Sequence, residues 1–272
     1  MSYELAILGA GNMAEAIARG VLGKAVFKPD QIITADPVEA RRKLFSEQLG
    51  VKSVIDNAEA ARDAKVLLLS TKPYQMKEAL APVGAVMNEK TLVISIAAGI
   101  TSRAIALALG SGKKWRVIRT MPNTPMLVGE GVVGMAPGEH ATRDDLSTAR
   151  RIFEAAADVI ELPEDKIDAV TALSGSGPAY FYFLVEHLVR AGIEMGLKPE
   201  DATKMAVKTA AGAGKLLSSS SDSPAELRRK VTTPGGTTHA AISHMESNDF
   251  GKIVVDAIKA AEARGRELGK QS

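Results

Sequence analysis

The stretch ELAILGAGNMAEAIARG, residues 4–20, constrains this chain more than any other. A short apolar run ends in Gly9-Ala10-Gly11-Asn12-Met13-Ala14, of the form G-x-G-x-x-A, and apolar residues then recur three and four apart. That pattern reads as strand, tight turn, helix. The first glycine permits the turn, the second lets backbone approach a pyrophosphate, and the small third residue lets helix and strand pack closely. The helix N-terminus then presents free N–H groups and partial positive charge to phosphate. The expectation is a dinucleotide-binding unit at the start of the chain.

The next stretches continue in the same grammar. QIITAD, AKVLLLST, TLVISIA, WRVIRTM, VVGMA and DVIEL read as further strands, the last ending at Leu162. Helical patterns such as PVEARRKLFSEQLG and TSRAIALALG lie between several of them, and Thr142 with Asp145 caps a helix before the last. Continuous apolar strands alternating with helices imply a mostly parallel sheet covered on both faces. From about residue 164 the strand signal fades. EDKIDAVTALSG, GPAYFYFLVEHLVRAGIEMG, PEDATKMAVKTAAGAGKLL, SPAELRRKV and DFGKIVVDAIKAAEARGREL all read helical, with SSSSDS (218–223) as a loop and Ser223 and Glu226 as a capping box. The expected fold class is α/β: a Rossmann-type dinucleotide-binding domain over residues 1–163, followed by an all-helical domain over residues 164–272.

Composition narrows the chemistry. The chain has 272 residues and no cysteine, which excludes disulfides, zinc thiolate sites and a cysteine nucleophile. His140, His187, His239 and His244 lack the spacing of a helical metal pair, so no metal is expected. A net charge of +2 gives no bulk electrostatic reason to bind nucleic acid or membrane. No apolar stretch has the length of a membrane span, and the first residues lack the basic n-region of a signal peptide. These features point to a cytoplasmic protein acting on a small molecule.

Ligands in open α/β sheets bind at the carboxyl ends of the strands. Ala35-Asp36, Ser70-Thr71-Lys72-Pro73, Ala97-Ala98-Gly99 and the loop carrying Asn123 between Pro122 and Pro125 should therefore line a cofactor cleft. An acid at position 36 accepts hydrogen bonds from ribose hydroxyls and repels a 2′-phosphate. Arg41 and Arg42, one turn on, are placed either to answer that phosphate or to form a solvated helix face, so the residues leave NADP(H) against NAD(H) open.

In the second half, Ser176-Gly177-Pro178 and Thr232-Thr233-Pro234-Gly235-Gly236-Thr237-Thr238 each read as a helix opening rich in hydroxyls and free N–H groups. Together they suit a small carboxylate; taken singly, each suits a cap or a turn better. Tyr180, Phe181, Tyr182 and Phe183 are four of the chain's ten Tyr and Phe residues. Consecutive positions on a helix point all round, so this helix should be buried on nearly every side, against another subunit.

The motifs LSGSGPAY (173–180) and TTPGGTTHAAI (232–242), with GAGNMA, TKP (71–73), AAG (97–99) and RTMPNTP (119–125), resemble those of the pyrroline-5-carboxylate reductase family. The resemblance runs in the same order from residue 3 to about 268. It implies that the helical domain is a dimerisation domain with intertwined helices. The assembly it implies is a homodimer joined into larger rings, up to a decamer of dimers. The implied reaction is reduction of L-1-pyrroline-5-carboxylate to L-proline by NADPH or NADH, the last step of proline biosynthesis. The implied substrate-binding residues are Thr171, Ser176, Gly177, Thr233, Gly235, Gly236, Thr237 and Thr238, with the Thr238 hydroxyl meeting the ring nitrogen. Leu8, Gly9, Ala10, Gly11, Asn12, Met13, Asn57, Ser70, Thr71, Lys72, Pro73, Ile96, Ala97 and Ala98 match cofactor-binding segments, and Lys230 stands where some relatives bring an asparagine to the cofactor. Ala35-Asp36 departs from relatives that carry hydroxyl residues there. The competing readings are a β-hydroxyacid dehydrogenase or ketopantoate-type reductase, using Lys204, Lys208 or Lys215, and a dinucleotide-binding regulator without turnover.

Overall fold

The computed structural model describes residues 2–110 and 112–270. Its centre is an eight-stranded sheet: β1 (Tyr3–Leu8), β2 (Ile32–Ala35), β3 (Lys52–Val54), β4 (Ala64–Leu69), β5 (Leu92–Ser95), β6 (Arg116–Met121), β7 (Gly131–Pro137) and β8 (Ala157–Glu161). The order is β3-β2-β1-β4-β5-β6-β7-β8. Pairings are parallel except β6 with β7, which is antiparallel, while β7 and β8 again run parallel to each other. Order 3-2-1-4 puts a topological switch point between β1 and β4, where the chain leaves the sheet in opposite directions and opens a crevice.

The strands are apolar at consecutive positions because both faces are covered. Leu5 and Ile7 of β1, with Ile32, Leu68 and Ile94, belong to one core; Ala6 and Leu8, with Ile33, Leu67, Leu69 and Val93, belong to the other. Helices α1 (Asn12–Gly23) and α6 (Arg143–Phe153) close the first face through Ile17, Val21, Leu146, Ile152 and Phe153. Short helices α3 (Asn57–Ala61), α4 (Met76–Leu80) and α5 (Ser102–Ala108) close the second, as does Trp115. The short helix α2 (Glu39–Lys43) continues into a π turn that buries Phe45 on the first face. The expected cap at Thr142 is a reciprocal capping box with Asp145, which also pairs with Arg116 at 2.8 Å.

Strand β3 has no counterpart among the runs read as strands. It is three residues long, sits at the sheet edge and is only half covered, so it carries no apolar run to detect.

The remaining helices are α7 (Ile167–Val170), α8 (Gly177–Glu194), α9 (Pro199–Ser219), α10 (Pro224–Lys230), α11 (Thr237–Ser247) and α12 (Phe250–Lys270). Helix α9 runs two residues into the expected 218–223 loop. The box expected at Ser223 is half formed: Ser223 accepts the Glu226 N–H, but the Glu226 carboxylate turns to Arg229. The chain forms two compact units, one ending at Ser176 and regaining the stretch from Ala261 onward, the other spanning Gly177–Ala260. The helical segment expected from residue 164 is thus shared between them. Residues 164–176 stay with the sheet because Val170 packs on Gly134, Gly175 on Met121, and Asp168 pairs with buried Arg119.

Candidate functional site

A cavity of about 520 Å³ opens at the switch point. Gly9, Gly11, Ala35, Asp36, Asn57, Ser70, Thr71 and Lys72 line it. Gly9 is left-handed (φ +92°), and a Cβ there would sit 2.8 Å from the Ser70 carbonyl oxygen, so only glycine lets β1 turn this close to the end of β4. Gly11 is extended and caps α1 without a side-chain bond; nothing lies within 4 Å of where its Cβ would be. Open space therefore faces an uncapped helix N-terminus, a geometry that suits a pyrophosphate.

The turn is held from behind. The Ala10 N–H donates to Asp36 Oδ2 at 2.7 Å, and the Ala10 carbonyl accepts from Arg41 Nε. Asp36 Oδ1 accepts the Val38 N–H at 2.8 Å, so both carboxylate oxygens are engaged and the charge is fixed at the end of β2. Arg41 continues to Glu15 at 2.9 Å. Burial pushes the Glu15 carboxyl up, but hydrogen bonds and charge from Arg19 and Arg41 outweigh it and hold the group below the usual carboxylate range. Arg42 donates to the carbonyls of Asp36 and Pro37. Both arginines therefore anchor the rim of the cleft instead of standing free on a helix face.

Val38 and Ile55, 53% and 66% exposed, also line the cavity. They are large apolar groups left in solvent shortly after β2 and β3, able to pack against a flat ligand surface. Ile55 was invisible to sequence reading because β3 was. Gln75, Ala79 and Pro82 extend the wall, and Asp56 and Glu78 add acids to it. The Asn57 amide donates to the Ala79 carbonyl at 3.2 Å, which fixes its orientation at the rim.

Leu8, Ala10, Asn12, Met13 and Pro73 sit in the same two strand-end segments. Ile96, Ala97 and Ala98 follow β5, with Ile96 N–H bonded to the Leu69 carbonyl and Ala97 N–H to Ser95 Oγ. Asn123 is 7% exposed, and its amide is spent on protein. Its Nδ2 donates to the Ser174 carbonyl at 3.2 Å, and its Oδ1 accepts the Val132 N–H at 3.0 Å. Four residues beyond Ser174 stands Pro178, which has no N–H to offer that carbonyl, so Asn123 fills the gap.

The first expected helix opening lies at the same place. Thr171–Gly175 forms a π turn, and Ser176, in right-handed helical geometry, donates its N–H to the Thr171 carbonyl at 2.8 Å. Helix α8 opens at Gly177 with Pro178 in its first turn, as expected, but the Ser176 N–H just before it is already taken. Thr171 turns its hydroxyl to the Ile167 carbonyl.

The second opening stands as expected. Gly236 is extended and caps α11 without a side-chain bond, leaving the first-turn N–H groups of Thr237, Thr238 and His239 facing outward beside Thr233 and Gly235. Thr238 is half-buried. Lys230, in the same unit, is tied to Asp222. Lys204, Lys208 and Lys215 all lie exposed on α9. The aromatic helix is not covered within one chain: Phe181, Tyr182 and Phe183 are each about two-thirds exposed.

Comparison with known proteins gives these sites a context. Residues 164–268 match the family model described as pyrroline-5-carboxylate reductase dimerisation, and residues 4–99 match that of NADP oxidoreductase, coenzyme F420-dependent. The chain is 39% identical to a pyrroline-5-carboxylate reductase of Synechocystis sp. over 100% of both chains. It is similar to the solved structure of a pyrroline-5-carboxylate reductase from Coxiella burnetii (TM-score 0.90, 35% identity, 98% and 99% coverage). It is also similar to that of a Plasmodium falciparum pyrroline carboxylate reductase with NADP bound (TM-score 0.87, 26% identity, 98% of each chain). With identity of this order running from one end of the chain to the other, across both the phosphate-binding turn and the paired helical motifs, the chain belongs to the pyrroline-5-carboxylate reductase family.

Proposed function

We propose that this protein reduces L-1-pyrroline-5-carboxylate to L-proline with a reduced nicotinamide dinucleotide. The observation that carries the reading is full-length identity to named reductases, joined to an open phosphate cradle at the sheet's switch point. The nicotinamide supplies a hydride to the imine carbon. Everything else asked of the protein is position. The α1 N-terminus and Gly11 hold the pyrophosphate, while Asp36 and Asn57 face the adenosine end. Thr237 and the other first-turn N–H groups of α11 hold the substrate carboxylate. Thr238 Oγ hydrogen-bonds the ring nitrogen as it gains the electron pair released from the C=N bond. A cyclic imine that enters protonated needs no strong acid from the protein. The active form on this reading is a cytoplasmic homodimer able to join into rings. Assays of NADPH and NADH oxidation with pyrroline-5-carboxylate, against ketopantoate and tartronate semialdehyde, test it; turnover of either rival substrate in preference would overturn it.

Cofactor choice rests on Asp36. Its carboxylate is fixed by two backbone N–H groups and cannot swing away from a 2′-phosphate. Asp36→Ser is expected to raise the NADPH-to-NADH efficiency ratio about tenfold, or ~1.4 kcal/mol, through relief of that repulsion. Parallel kcat/KM measurements check it, and an unchanged ratio would show that position 36 does not sense the phosphate.

A further inference from the structure

The loop after β5, Ile96–Thr101, is gripped on two sides. On one side, Glu164 accepts both the Ser102 N–H at 2.7 Å and the Ser102 hydroxyl at 2.6 Å. Glu164 lies 3.9 Å from the guanidinium of Arg119, whose other nitrogen donates to Asp168 at 2.7 Å. Arg119 is 3% exposed and pairs in register with Ser95, the last residue of β5. A buried cation on β6 thus organises two carboxylates from one segment, and one of them holds the start of α5. On the other side the end of α12 crosses the loop at backbone distance. A Cβ on Gly269 would stand 2.7 Å from the Gly99 carbonyl oxygen; one on Gly99 would stand 3.3 Å from Gly269 N and from Leu268 Cβ. Gly265, one turn earlier on the same face, packs toward Asp168, the partner of Arg119. Glycine at 265 and 269 is a poor choice for a helix interior, where each costs roughly 1 kcal/mol against alanine. Close approach to the loop accounts for Gly269; a Cβ on Gly265 would meet only Asp168 Cβ, at 3.8 Å.

We infer that the last turns of α12, from Gly265 onward, are a positioning element for the Ile96–Gly99 loop, with Arg119, Glu164 and Asp168 as the counter-grip. The inference rests on the reading of that loop as the nicotinamide side of the cleft. The small residues there admit the ring, and the clamp decides how near it stands to the imine carbon. Hydride transfer tolerates little misplacement, since a shift of about 1 Å costs on the order of a hundredfold in rate. The adenosine and pyrophosphate contacts lie on β1, β2 and β4 and do not depend on the clamp.

The test compares the full chain, Gly269→Ala, Gly269→Val and a chain ending at Glu267. Each is assayed with pyrroline-5-carboxylate using ordinary and C4-deuterated cofactor, with melting curves alongside. The expected result is a graded fall in kcat of at least tenfold for Gly269→Val and the shortened chain. KM for cofactor stays within about threefold, and the deuterium isotope effect on kcat rises as hydride transfer becomes rate-limiting. If the shortened chain does not fold, Gly269→Ala, which adds one methyl against the Gly99 carbonyl, carries the same comparison. Unchanged kcat in folded variants overturns the inference. So does a fall in kcat that tracks a fall in melting temperature without a larger isotope effect. Failure of the unaltered chain to turn over pyrroline-5-carboxylate would instead overturn the functional reading beneath it.

Discussion

Thr238→Val is expected to lower kcat and kcat/KM together by a factor of roughly 30 to 150, with cofactor affinity nearly unchanged. Valine keeps the branched shape and removes the hydroxyl. A hydrogen bond that strengthens as the ring nitrogen gains electrons is worth about 2 to 3 kcal/mol in the transition state and little before it. The competing role for Thr238 is as a cap on α11. The geometry speaks against it: Gly236 holds the cap position, and α11 begins without a side-chain cap. Loss of a cap would cost about 1 kcal/mol of stability and leave turnover alone. Kinetics and melting curves on Thr238→Val and Thr238→Ser separate the two. A stable valine variant with collapsed turnover, largely restored in serine, supports the catalytic contact. A destabilised variant with normal kcat removes it.

Gly9→Ala is expected to damage both stability and cofactor binding. A left-handed φ costs a non-glycine residue roughly 1 to 2 kcal/mol, and overlap with backbone adds about 1 to 3 more. The obstructing atoms are the Ser70 carbonyl and Thr71 nitrogen, part of the second cofactor-facing segment, so neither wall can yield without moving the other. Urea unfolding should show a loss of about 2 to 5 kcal/mol, and cofactor fluorescence titration a Kd raised more than tenfold. Gly11→Ala is the control. Its φ is ordinary (−71°) and its Cβ would meet no protein atom, so stability should hold while cofactor binding weakens. Equal loss of stability in both variants would show that the turn, not the approach of a ligand, sets the need for glycine.

Much of this arrangement is legible in the residues. Strands buried on both faces announce themselves as apolar runs, and the phosphate-binding turn has a spacing that few other functions require. The helical half follows from its periodicity. What could not be read was the use made of individual polar groups. Asp36 reads as a ribose acceptor in sequence; in the fold its two oxygens also hold the turn through Ala10 and Val38. Asn123 looks like a cleft residue, but its amide repairs the carbonyl that Pro178 leaves unpaired. Arg119 sits inside the apolar strand WRVIRTM, where a buried cation requires a partner, and Asp168 supplies it. The contacts of Asp36 with Ala10, Arg119 with Asp168 and Asn123 with Ser174 join positions 26 to 51 apart in sequence, and no local pattern encodes them.

The exposed aromatic helix has a consequence for how the protein behaves on dilution. Among the described residues of α8 to α11, those fully buried are Gly177, Gly192, Ala202 and Ala206, none of which carries a large side chain. Phe181, Tyr182, Phe183, Leu184 and Leu188 of α8 stay in solvent in the single chain. A unit with so little interior of its own draws its stability from association, and mass action then links folding to protein concentration. The melting temperature should climb as the protein is concentrated, and specific activity should decay with time when the protein is held at nanomolar levels. Added cofactor slows that loss only to the extent that it also favours the associated form.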